Sequence, residues 1–120
     1  MVTGTAPRGC VLVLPGGRVH SQQSSSRWQL ANVRMVFVAR ALRRRLGPEV
    51  DVRQVQYRLR GWNGPRMDPL RDAEQVLADM QRRCRPDNIA VVGHSMGGRV
   101  AAHLAAGGGV GTVVALAPWW

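Results

Sequence analysis

The chain contains no lysine: all 17 of its basic residues are arginine, set against seven acids for a formal net charge of +10. Such an excess points to nucleic acid when the basic residues cluster and aromatic side chains interleave with them for base stacking. Here the arginines scatter from Arg8 to Arg99, with one tight cluster at Arg43, Arg44 and Arg45, and no aromatic residue interleaves with it. A specific nucleic-acid partner is therefore not expected. The missing lysine fits a coding bias toward arginine, and the charge implies a general attraction to anionic surfaces.

Other absences narrow the class further. No apolar run approaches the ~18–20 residues that a membrane helix needs, so no membrane span is expected. The opening "MVTGTAPRGC" lacks a charged start followed by an apolar core, which reads as no signal peptide and makes the cytoplasm the default location. The two cysteines, Cys10 and Cys84, stand in unrelated segments without metal-ligand spacing, so neither a metal site nor a disulfide is expected. Residues 1–8 read as a flexible N-terminus, and residues 9–120 as one domain.

Along that domain, short apolar runs alternate with amphipathic ones. "CVLVL" (residues 10–14) reads as a buried strand stopped by "PGG". "SSSRWQLANVRMVFVARALRRRLGP" reads as a helix, with N-cap candidates among Ser24, Ser25 and Ser26 and the arginine cluster at its negative end. "VDVRQVQY" alternates as a strand does and gives way to the turn-rich "RGWNGPR". A second helix is expected from Asp68 as N-cap and Pro69 as its first residue, with Leu70, Ala73, Val76, Leu77 and Met80 on one face. "NIAVV" is a third strand, "MGGRVAAHLAAGGG" a small-residue helix and "VGTVVALAP" a last strand. This order predicts an α/β fold, a parallel sheet with helices on both faces.

Chemistry concentrates in "IAVVGHSMGG", residues 89–98. It contains G-x-S-x-G directly after a buried strand and at the opening of a helix, the placement of a nucleophile elbow. Ser95 is the expected nucleophile. Gly93 and Gly97 flank it where side chains would collide with a sharp turn. The backbone N–H of Met96 would stand at the helix N-terminus, where the dipole favours developing negative charge. The fingerprints of phosphate-binding turns, G-x-G-x-x-G and G-x-x-x-x-G-K-[ST], are both missing from this stretch. The loop "LPGG" after the first strand offers a second oxyanion donor from Gly16, Gly17 or Arg18, a contact worth about 3 kcal/mol in the transition state.

On these residues the chain resembles the α/β-hydrolase-fold family, in particular its small actinobacterial-type serine hydrolases. The matching pieces are "VLVLPGG", "RGWNG", "DPLRDAEQVLADM", "VVGHSMGG" and the closing "VALAP". "RGWNG" is similar to the family's R-G-x-G loop with one residue added. The resemblance implies a serine hydrolase acting on a small-molecule ester, thioester or related acyl substrate, with no metal or organic cofactor. Serine at the nucleophile position argues against the dehalogenase and epoxide hydrolase branches.

The family order places an acid and then a histidine after the nucleophile, and neither is found at the expected place. His103 lies eight residues beyond Ser95 on the same helix, roughly 12 Å away at the standard rise, too far for a general base. His94 reads as packing and His20 as an exposed loop residue near the site mouth. The acids Asp68, Asp72, Glu74 and Asp79 are explained by their helix, and Asp87 by the turn before the third strand. Three explanations stay open. The chain is an N-terminal portion of a longer hydrolase, or a non-catalytic α/β binding module, or a site completed by a second chain or by His20. Produced alone, the chain is expected to be association-prone through the uncovered edge of its last strand, next to Trp119 and Trp120.

Overall fold

The computed structural model describes residues 7–18, 21–24 and 29–118. His20, Ser25, Ser26, Trp119 and Trp120, and with them most of the expected N-terminal tail, lie outside the described residues. Within them the strands are β1 (Gly9–Leu14), β2 (Val50–Gln54), β3 (Ile89–His94) and β4 (Thr112–Leu116). The helices are α1 (Leu30–Leu46), α2 (Asp68–Gln81) and α3 (Met96–Ala106). Two single 3-10 turns, Gly64–Arg66 and Pro86–Asn88, lead into α2 and β3.

All strand pairs are parallel and the sheet order is β2-β1-β3-β4. Alternation along β1 sends Cys10, Leu12 and Leu14 to one face and Val11 and Val13 to the other, and all five are buried. The first set joins the core beneath α2 and α3 with Tyr57, Leu77, Met80, Val91, Val100 and Leu104. The second joins Met35 and Ala39 of α1, together with Val52 and Val92. An apolar central strand buried on both sides is the signature of a parallel sheet covered by helices. β4 differs from the others. Every residue in it is exposed, Leu116 by 42%, and among the described residues it pairs with β3 alone.

Several boundaries shift from the sequence expectation, each for a local reason. The first helix starts only at Leu30, with Gln29 in extended backbone at its N-cap. Ser24 does not cap it, because it bridges Leu59 in an isolated antiparallel contact. β2 stops at Gln54; beyond it Val55 and Tyr57 turn into the core and the chain leaves the sheet. The cap of α2 falls one residue early, on Met67 at φ 47°, whose carbonyl accepts the first helical bond from Arg71. Asp68 is thereby freed to take Asn63 Nδ2 at 2.8 Å and Arg66 at 3.3 Å.

Asp72 and Asp79, expected to serve their own helix, have partners across the fold, whereas Glu74 pairs with Arg71 one turn away. Asp72 accepts both the backbone N–H of Arg58, at 2.9 Å, and its guanidinium. This carboxylate raises the pKa of Arg58 further, chiefly through their hydrogen bond. Asp79 and Asp51 share Arg53 and Arg83, joining α2 to β2. Arg8, in the expected tail, gives its backbone N–H to the Glu49 carbonyl at 2.8 Å. Among the described residues no helix is long and apolar enough to cross a membrane.

Candidate active site

The chain runs from β1 outward to β2, then returns to the other side of β1 to lay down β3. The loops that leave the carboxyl ends of β1 and β3 therefore diverge from neighbouring strands. This is the switch-point crevice where open α/β sheets place their ligands. The loop after β1 carries Gly16 and Gly17, and the junction after β3 is Ser95 itself.

Ser95 has φ 56° and ψ −118°, a conformation rarely adopted by a residue with a side chain, and the chain enters α3 at once with Met96. Its N–H donates to the Leu116 carbonyl at 2.9 Å, and its own carbonyl accepts Gly98 N–H at 2.9 Å. So sharp a turn brings backbone into contact with backbone. A Cβ on Gly93 would overlap the Gly97 carbonyl, and a Cβ on Gly97 would overlap the Leu14 carbonyl and stand 2.7 Å from the Pro15 oxygen. Both elbow glycines are thus required by close approach rather than by φ. Met96 is fully buried, and its backbone N–H belongs to the first turn of α3, whose amides point out of the helix.

Gly16 faces the serine: a Cβ built on it would stand 3.4 Å from Ser95 Cβ. A side chain on Gly17 would run into the Arg60 carbonyl and the Met96 thioether. Arg18 drops out as a donor, because its N–H is spent on the Arg60 carbonyl at 2.8 Å. The structure therefore brings Ser95, Met96, Gly16 and Gly17 together, with Gly93 and Gly97 beneath them.

What holds the Gly16 loop comes from residues to which sequence reasoning gave no role. Tyr57 is buried, and its hydroxyl donates to the Pro15 carbonyl at 2.9 Å. Burial pushes the Tyr57 phenol pKa well above its usual value, with the nearby Asp72 charge adding to it. Asn63, in left-handed backbone at φ 63°, clasps Ser21 twice, at N–H and at carbonyl, and reaches Asp68 with the same amide. Trp62 donates its N–H to the Arg18 carbonyl at 2.7 Å. Its buried ring lies 4.1 Å beneath the Arg99 guanidinium and 5.2 Å from the His103 ring. "RGWNG" is thus a brace between the loop after β1 and the helix after Ser95. The one available signal was an asparagine before glycine, a pair suited to left-handed backbone.

The same contacts settle where the remaining histidines stand. His103 is exposed on α3 and packs on Trp62, not on Ser95. His94 is half-buried, and alternation along β3 puts it on the α1 face with Val92. Among the described residues no group of three or more His, Cys, Asp or Glu side chains could hold a metal ion. A cavity of about 430 Å³, lined by Arg8, Glu49, Asp87 and Thr112 among others, lies at the amino ends of the strands, the far end from Ser95.

Fold and site together define an α/β protein with a glycine loop and a serine turn at the carboxyl ends of two central parallel strands. Residues 11–120 match the family model described as the alpha/beta hydrolase family. That match spans nearly the whole chain, which therefore belongs to the alpha/beta hydrolase family, and hydrolase chemistry at the general level goes with it. No curated protein matches the chain.

Proposed function

We propose that this chain carries the nucleophile and oxyanion half of a serine hydrolase acting on a small-molecule ester, thioester or related acyl substrate. The observation that carries the reading is Ser95 in its positive-φ turn, at the N-terminus of α3 and against Gly16. Ser95 Oγ attacks the acyl carbonyl. The carbonyl oxygen, now negative, takes hydrogen bonds from Met96 N–H and from Gly16 or Gly17 N–H, each donor worth about 3 kcal/mol. The serine proton passes to a histidine, and water then releases the acyl group.

On this reading the histidine and its acid are supplied by chain outside these 120 residues. His103 is engaged with Trp62, and Asp68, Asp72 and Asp79 are engaged with arginines. Intact mass of the protein from its native source, before and after a fluorophosphonate probe, tests both parts. The expected result is a mass above that of the 120 residues and a single adduct that Ser95→Ala abolishes and His20→Ala leaves in place. A mass equal to this chain with no adduct overturns the reading in favour of a non-catalytic binding module. An adduct lost on His20→Ala would make His20 the base.

A further inference from the structure

Cys10 and Cys84 are 74 positions apart in sequence, yet their sulfurs lie 3.1 Å from one another in the core beneath α2. That is inside the ~3.5–4.0 Å of ordinary non-bonded contact between heavy atoms. Cys10 sits in the central strand, paired on one side with Asp51 and on the other with Ile89. Cys84 is anchored just past the end of α2, where its N–H reaches the Met80 carbonyl at 2.8 Å. Both backbones are therefore fixed, and the two side chains converge on one point. Two such thiols without a third ligand do not make a metal site, and none is formed among the described residues.

We propose that Cys10 and Cys84 are a cross-linking site: on exposure to a small-molecule disulfide they close an intramolecular disulfide that ties β1 to the end of α2. Closing it to a bond of about 2.05 Å brings the sulfurs about 1 Å nearer one another. Cys84 is the more exposed of the two, 8% against 1%, and it attacks first. Its thiolate breaks the reagent's S–S bond, forms a mixed disulfide and releases one thiol. The Cys10 sulfur then attacks Cys84 Sγ, loses its proton to solvent and expels the second thiol. Two protein thiols are oxidised, and one reagent disulfide is reduced to two thiols. The first step is slow in the native state, because the core excludes the reagent. Burial and the neighbouring Cys84 together push the Cys10 thiol up to about 12, so it reacts only once the mixed disulfide is beside it.

The test equilibrates the full chain with oxidised and reduced glutathione, quenches it in acid, alkylates free thiols and measures intact mass and the non-reduced peptide map. The expected product is a monomer lighter by two hydrogens, carrying no alkyl group, with the Cys10 and Cys84 peptides joined. Its effective thiol concentration in the folded state should exceed that in urea about a hundredfold, and its Tm should rise by roughly 10 °C. Cys84→Ser should lose both effects. Two alkylated thiols, stable glutathione adducts or disulfide-linked dimers would each overturn the proposal. Because these readouts are taken on the unsubstituted chain, they stand even if the variant does not fold.

Discussion

Ser95 is held at φ 56° by its surroundings: α3 follows immediately, Gly93 and Gly97 touch beneath it, and Leu116 takes its N–H. A non-glycine residue in such backbone costs about 1–3 kcal/mol, which the rest of the fold must supply. Ser95→Gly is therefore expected to stabilise the chain by about 1 kcal/mol while removing the hydroxyl. Urea unfolding checks this, and a lower midpoint for the glycine variant would mean that the turn carries no strain. A second expectation at this scale concerns alkali. The Cys10 thiol has its ordinary value of 9.0 when unfolded and is raised to about 12 when folded. Its contribution to stability is thus intact below about pH 9 and lost as pH rises toward 12. Tyr57, also raised by burial, adds to the loss. Cys10→Ala should flatten the decline of the unfolding free energy between pH 9 and 12, measured by denaturant titration at each pH.

At the scale of elements, α3 and β1 meet through Gly97 without any side chain between them. Gly97→Ala forces a methyl group into the Leu14 carbonyl, and the helix must move off the strand. A loss of about 1–3 kcal/mol is expected, by analogy with overpacked cores, seen as a lower urea midpoint with unchanged slope. Gly47, which faces open space, is the control site. Elements whose apolar period is unbroken were legible in the sequence: β1, β3, α2 and the serine turn with both of its glycines. Hydrophobic spacing and close-approach glycines are local signals. The start of α1 was not legible, because three serines offered equal caps and only a tertiary bridge from Ser24 to Leu59 decided against one of them. Nor was the work of Tyr57, Trp62 and Asn63, since each acts on a chain segment about 40 residues away and leaves no periodic trace. The meeting of Cys10 with Cys84 was hidden for the same reason.

For the whole molecule, both β2 and β4 are outer strands of the sheet among the described residues, but only β4 is exposed along its whole length. β2 is held against α1, and its acids and arginines are tied to α2, whereas β4 presents Val113, Val114 and Leu116 to solvent. The register with Val92 and His94 puts Val114 and Leu116 on the α1 face, beyond the reach of that helix. An exposed apolar strand with an unpaired edge invites pairing with another chain, and a net charge of +10 opposes it only at low salt. The 120 residues produced alone should therefore associate increasingly as salt is raised, measured by light scattering. Val114→Lys with Leu116→Lys should shift them toward monomer. A sharp monomer peak for the unsubstituted chain at all salt concentrations would contradict this.

The hydrogen bond from Ser95 N–H to the Leu116 carbonyl gives that open strand a second meaning. It is a tether between the serine turn and the last residue of β4, so the backbone pose of Ser95 is linked to the seating of that strand. Displacing that strand removes the acceptor of the Ser95 N–H. On the proposed reading of Ser95 as nucleophile, its backbone pose is set only once β4 has joined β3, so the order in which strands are laid down also orders the site.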